Sequence, residues 1–130
     1  MGSVPLTELL LDTHPLLWAL AGDGRLPGWL AEEIDDDPSR FGISDVSIWE
    51  IAIKRSTGRL EIPDDLPEIV SALGFSRVPL ERRQAWAVRA MPRHHGDPFD
   101  RLLLSQAQDL GVPLVSADAA FGPYGADVRW

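Results

Sequence analysis

Four acidic residues, Asp12, Glu50, Asp100 and Asp118, come from separate parts of the chain, and each stands at or near the end of a predicted element. Asp100 opens an apolar-periodic helical segment in the stretch HHGDPFDRLLLSQAQDLGVPLVSADAAF (residues 94–121), and Asp118 follows the short apolar run that comes next. Asp12 ends the run ELLLD, and Glu50 lies inside a helical stretch beside its apolar side. In a parallel α/β sheet such element ends meet at the carboxyl edge of the strands. Carboxylates gathered there repel one another unless cations intervene. Hard oxygen donors, with no thiolate and no histidine pair at ligand spacing, favour Mg²⁺ or Mn²⁺. The chemistry that follows is phosphodiester hydrolysis by activated water, with the leaving oxygen's charge neutralised. Taken singly, Asp12 reads as a capping or turn acid and Glu50 as a snorkelling or salt-bridged residue; only their combination points to a site.

The elements that must position these groups alternate along the chain. Glu8–Asp12 reads as a buried strand with Asp12 at its tip, and Thr13, as N-cap, and Pro15 open a helix that stops at Gly22. A second helix covers Pro27–Ile34, and Asp35, Asp36 and Asp37 form a solvated surface loop. Arg40–Ser44 reads as a second strand, with Ser44 capping a helix that runs to Lys54 and turns Val46, Trp49, Ala52 and Ile53 inward. A short helix over Glu68–Leu73, a third strand over Phe75–Leu80 and a helix over Glu81–Ala90 follow. The closing helix presents Leu102, Leu103, Gln106, Ala107 and Leu110 and stops at Gly111; Val112–Val115 make the next strand, and Asp127–Trp130 add an edge strand. This order defines an α/β domain with a mostly parallel central sheet and helices on both faces.

At 130 residues the chain reads as one domain, residues 1–130, able to bury a core without disulfides, and it has no cysteine. No signal pattern or run of membrane-spanning length is present, so a cytoplasmic location away from membranes is expected. The net charge of −8 argues against a simple electrostatic nucleic-acid binder. Yet 11 of the 12 basic residues are arginine, the side chain best suited to bidentate phosphate contact. Should RNA bind, Arg77, Arg82, Arg83, Arg89 and Arg93 are the expected phosphate contacts. His94-His95 lacks zinc-site spacing, and no phosphate-binding glycine loop or nucleophile elbow occurs. A phospho-acceptor domain needs a lysine beside its acids, and the one lysine, Lys54, sits late in a helix.

Four phrases together, LLLDTHPLLWAL (9–20), ISDVSIWEIAIKRSTGRL (43–60), HGDPFDRLLLSQA (95–107) and LVSADAAFGPY (114–124), closely resemble PIN-domain ribonucleases, more narrowly the VapC-type toxins of type II toxin–antitoxin modules. The resemblance covers nearly the whole chain in order. It implies a three-layer α/β/α domain that binds Mg²⁺ or Mn²⁺ and cuts RNA as an endoribonuclease, with Asp12, Glu50, Asp100 and Asp118 as catalytic metal ligands. It also implies a supporting role for Ser116, and for Asp97 either a helix cap, the preferred role, or an auxiliary ligand. Homodimerisation and inhibition by a cognate antitoxin are implied as well. Arg59, where lysine is common, is a conservative departure. The alternative is a non-catalytic PIN-like module that binds RNA or a partner helix.

Overall fold

A computed structural model describes residues 7–94 and 96–130; the second histidine of the His94-His95 pair lies outside them. Five strands, β1 (Leu9–Leu11), β2 (Phe41–Ser44), β3 (Ser76–Val78), β4 (Leu114–Val115) and β5 (Val128–Arg129), form one sheet in the order β3-β2-β1-β4-β5. Every neighbouring pair is parallel. The helices are α1 (Thr13–Ala21), α2 (Gly28–Asp36), α3 (Asp45–Ser56), α4 (Leu66–Ala72), α5 (Arg82–Ala87) and α6 (Pro98–Leu110), with short 3₁₀ turns between some of them. None of the described helices is long and apolar enough to cross a membrane.

The two-residue period of a strand splits the apolar residues between two cores. Leu9 and Leu11 of β1, with Phe41 and Ile43 of β2, pack against Leu16, Leu30, Ile34, Ile51 and Val70 of the first four helices. Leu10 and Leu114 face the other way, onto Leu103, Leu104 and Ala107 of α6. The result is three layers, helices on both faces of a parallel sheet. Handedness explains the split. From β1 the chain steps outward to β2 and β3 through α1–α4, then crosses back through α5 and α6 to β4 on the other side of β1, and right-handed crossovers running in opposite directions cover opposite faces.

Glycine at 42 is dictated by packing: a Cβ there would stand 2.6 Å from Val78 Cγ2 and 2.5 Å from Thr7 Cγ2. Gly22 and Gly111 end α1 and α6 in the left-handed conformation, at φ of 62° and 68°, as their sequence positions predict.

Two local expectations are corrected. Asp12, not Thr13, is the N-cap of α1: its side chain accepts from Thr13 N, and Thr13 is the first helical residue. The inward face of α3 is also rotated from the expected Trp49/Ile53 stripe. Val46, Ser47, Glu50 and Ile51 are buried, while Trp49 is 52% exposed and Ile53 38%. Similarly, Leu110 of α6 lies at the surface.

Candidate active site

The strand order reverses between β1 and β4, which makes their carboxyl ends the switch point where an open α/β sheet leaves a crevice. Asp12 stands there at the end of β1, its amide donating to Val115 O at 3.0 Å, so that β4 fixes its backbone. The residue is only 5% exposed. One carboxylate oxygen accepts from Thr13 N at 2.8 Å, and the other accepts from the Ser116 hydroxyl at 2.7 Å. Ser116 Oγ in turn accepts from the Asp118 amide at 3.0 Å. Ser116 thereby ties the first acid to the turn that carries the fourth. Burial pushes the Asp12 carboxyl above its ordinary pKa; the Ser116 and Thr13 hydrogen bonds oppose this, and the nearby Glu50 charge adds to the rise.

Glu50 reaches the same crevice from α3 because Ser44 caps that helix, accepting from Val46 N at 2.9 Å. Its buried carboxylate has both oxygens engaged: Oε1 accepts from the Thr13 hydroxyl at 2.8 Å, and Oε2 accepts from Lys54 Nζ at 2.8 Å. Thr13 Oγ1 also lies 3.0 Å from Ser47 Oγ. Asp12 and Glu50 are thus consecutive links of one network through Thr13. Sequence reasoning does not single out Thr13 or Lys54 for this role. For Lys54 the signal is its position four residues after Glu50, where helical side chains of opposite charge meet. Lys54→Met should leave a buried carboxylate oxygen without its charged donor and cost roughly 1–3 kcal/mol. Thermal unfolding of Lys54→Met beside Lys54→Arg measures this, with the arginine protein keeping most of the parent's stability.

Asp97 is the N-cap of α6, its Oδ1 accepting from Phe99 N at 2.8 Å and from Asp100 N at 3.2 Å. Asp100 lies in the first turn of that helix and is partly buried. Asp118 is exposed and caps the 3₁₀ turn after β4, accepting from Ala120 N at 2.9 Å. Among the described residues, no three histidine, aspartate or glutamate side chains stand close enough together to form a ready-made metal site. The donor chemistry nonetheless suits a hard divalent cation. Asp12 is a carboxylate buried against its own preference for charge beside a second carboxylate, a situation a cation relieves.

Three of the five arginines already have partners within the chain. Arg77 is held by Asp45 through two hydrogen bonds of 3.0 and 2.9 Å, and Arg83 by Asp109 at 3.0 Å. Arg89 lies over the exposed Trp86 ring, 4.6 Å from its centroid, and donates to Trp86 O. Arg82 and Arg93 are exposed.

A parallel sheet with its first strand's acid at the switch point and helices on both faces defines a class of α/β domain shared with solved toxin–antitoxin and VapBC structures. Over 94% of this chain and 96% of the other, it superposes on a chain of a DNA-bound VapBC from Salmonella typhimurium with a TM-score of 0.70 at 16% identity. A chain of VapBC2 from Rickettsia felis, bound to a promoter DNA fragment, gives a TM-score of 0.68 at 11% identity, covering 93% and 96% of the two chains. A toxin–antitoxin complex from Klebsiella pneumoniae gives 0.66 at 15% identity over 94% and 96%. No curated protein matches the sequence. The chain matches the PIN domain family over residues 9–125, and it belongs to that family.

Proposed function

We propose that the chain is a metal-dependent endoribonuclease of the VapC type, the toxin of a toxin–antitoxin pair. The observation that carries this reading is Asp12: a buried carboxylate at the strand-order switch point, linked through Thr13 to Glu50 and through Ser116 to the turn bearing Asp118. Asp12, Glu50, Asp100 and Asp118 would hold Mg²⁺ or Mn²⁺. When bound, such a cation supplies activation of a water and neutralises charge developing on the leaving oxygen. The chain's own groups do the rest. Ser116 and the Thr13 amide orient the two oxygens of Asp12, Thr13 and Lys54 orient those of Glu50, and Asp97 fixes the first turn of α6 that carries Asp100. Outer groups of this kind set the direction and basicity of metal-binding carboxylates. The exposed Arg82 and Arg93, and Arg77, Arg83 and Arg89 once released from their present partners, would contact phosphates.

The likeness to a toxin–antitoxin complex supports a cognate antitoxin as partner, and the resemblance to VapC toxins supports a homodimer in the cytoplasm. The second reading, a non-catalytic module that binds RNA or a partner helix, is favoured by Glu50, whose two oxygens already have donors in Thr13 and Lys54. Incubating a cellular RNA pool with the purified protein in Mg²⁺, Mn²⁺ or EDTA separates the two. Defined fragments that require metal and disappear on adding the antitoxin are expected. Intact RNA under all three conditions, with folded and partner-free protein, favours the binding module.

A further inference from the structure

An aromatic pair stands next in sequence to two of the four acids, and its Trp49 ring is not needed by the core. Trp49 immediately precedes Glu50 in α3, and Phe99 immediately precedes Asp100 in α6. Their rings meet edge to face, with centroids 4.9 Å apart and an interplanar angle of 73°. The pair therefore bridges α3 and α6, the helices that carry Glu50 and Asp100. Phe99 is partly buried and braces the indole, whereas Trp49 is 52% exposed. The core-facing side of α3 is already supplied by Val46 and Ile51. A large, rigid, half-wet ring in such a position is suited to cover an apolar face of a ligand.

We infer that Trp49, braced by Phe99, is a stacking platform for an unpaired base of the RNA strand next to the phosphodiester held at the acids. This inference rests on the ribonuclease reading above and assigns one of its substrate contacts to Trp49. A phosphodiester at the crevice carries a nucleoside on each side, so a base is at hand wherever a phosphate is. Electrostatics alone is a poor source of affinity for a chain of net charge −8 whose Arg77 and Arg83 are matched to Asp45 and Asp109. Stacking on an aromatic ring needs no net charge, and every base has a face to offer. In a duplex those faces are already stacked on their neighbours, so an exposed ring of this kind selects strands whose bases are free to turn out.

The test uses the full chain carrying Asp12→Asn, so that RNA is bound without being cut, with and without Trp49→Ala or Trp49→Phe. Fluorescence anisotropy of a labelled single-stranded RNA oligonucleotide in Mg²⁺ gives the affinities, and a series of the same oligonucleotide with one abasic position at a time maps the stacked base. Trp49→Ala is expected to weaken single-strand binding about ten-fold or more, and Trp49→Phe to retain most of it. One abasic position should weaken binding comparably when Trp49 is present and have no further effect in the Trp49→Ala protein. Duplex RNA of the same sequence should bind weakly and without regard to the side chain at this position. Equal affinities with and without Trp49→Ala, or abasic losses that do not depend on that substitution, overturn the inference while leaving the nuclease reading intact. Unchanged RNA affinity with a changed oligomeric mass assigns Trp49 to a contact between copies of the chain, which also overturns it. Failure of the parent chain both to bind and to cut RNA removes the function itself, and the inference with it.

Discussion

Asp12→Asn should abolish RNA cleavage and, in metal-free protein at neutral pH, raise the thermal midpoint. The activity loss is expected to be at least about 100-fold, the scale seen when one electrostatic stabiliser of a transition state is removed. The stability gain follows from burial. Folding pushes the Asp12 carboxyl above its ordinary value of 3.8, chiefly by desolvation, with Glu50 adding repulsion. Because the folded state favours the protonated form, Asp12 supports folding best below that ordinary value, and this support is lost as the pH climbs through the raised folded value. An asparagine has no proton to lose. The two proteins should therefore unfold together at pH below about 4 and diverge toward neutrality, with the asparagine protein the more stable, each ~1 kcal/mol of difference moving the midpoint by roughly 4 °C. Most substitutions at buried positions destabilise, so a gain here marks a residue kept for chemistry at the expense of the fold. Calorimetry across this pH range in EDTA makes the measurement. A midpoint lower than the parent's at neutral pH, in folded protein, would show that the two hydrogen bonds to Asp12 outweigh its desolvation.

The second large effect is expected at Gln106, a fully buried amide of α6. Its Oε1 accepts from the Ser44 hydroxyl, and its Nε2 donates to Pro79 O and to Gln84 Oε1, both at 3.2 Å. Gln84 Oε1 also accepts from Glu81 N at 2.9 Å, and its Nε2 donates to Asp109 at 3.0 Å. One side chain thus joins the carboxyl end of β2, the segment after β3, α5 and α6. Gln106→Ala strands these partners and opens a cavity, for an expected loss of about 3–5 kcal/mol and a midpoint some 10–20 °C lower. Gln106→Leu refills most of the volume but satisfies none of the polar groups, so it should recover little. Full recovery by leucine in denaturant unfolding would mean that packing, not hydrogen bonding, is what Gln106 supplies. Because Ser44 is the cap of α3, loosening this node should also disturb the helix that carries Glu50, and cleavage should fall in whatever fraction remains folded.

Much of the frame is local and so was legible in the residues. The apolar run at Leu9–Leu11 is too short and too uniformly apolar for a surface helix, and it forms the central strand. Asp97 two residues before Phe99 is a cap by position, and its carboxylate accepts from the Phe99 and Asp100 amides. Ser44 caps α3 for the same local reason. The face of α3 was not legible, because apolar residues occur on more than one side of it. Its orientation is set by what Glu50 needs, a hydroxyl from Thr13 and the Lys54 ammonium, which outweighs the burial of Trp49 and Ile53. The arginines read alike in sequence, yet Asp45 and Asp109 engage two of them through contacts 32 and 26 residues away along the chain.

By itself the sequence determined the elements, most of their caps and stops, the α/β class and the positions of Asp12, Asp100 and Asp118 at element ends, since each depends on neighbours within a turn or a strand. Only the tertiary structure decided that Ser116 donates to Asp12 across 104 residues, that Thr13 joins Asp12 to Glu50, and that Trp49 faces water beside Phe99. Those outcomes depend on which strand lies beside β1 and how far each helix is rotated on the sheet. That is settled by the competition between burying apolar area and satisfying buried charge over the whole domain, which no local pattern encodes.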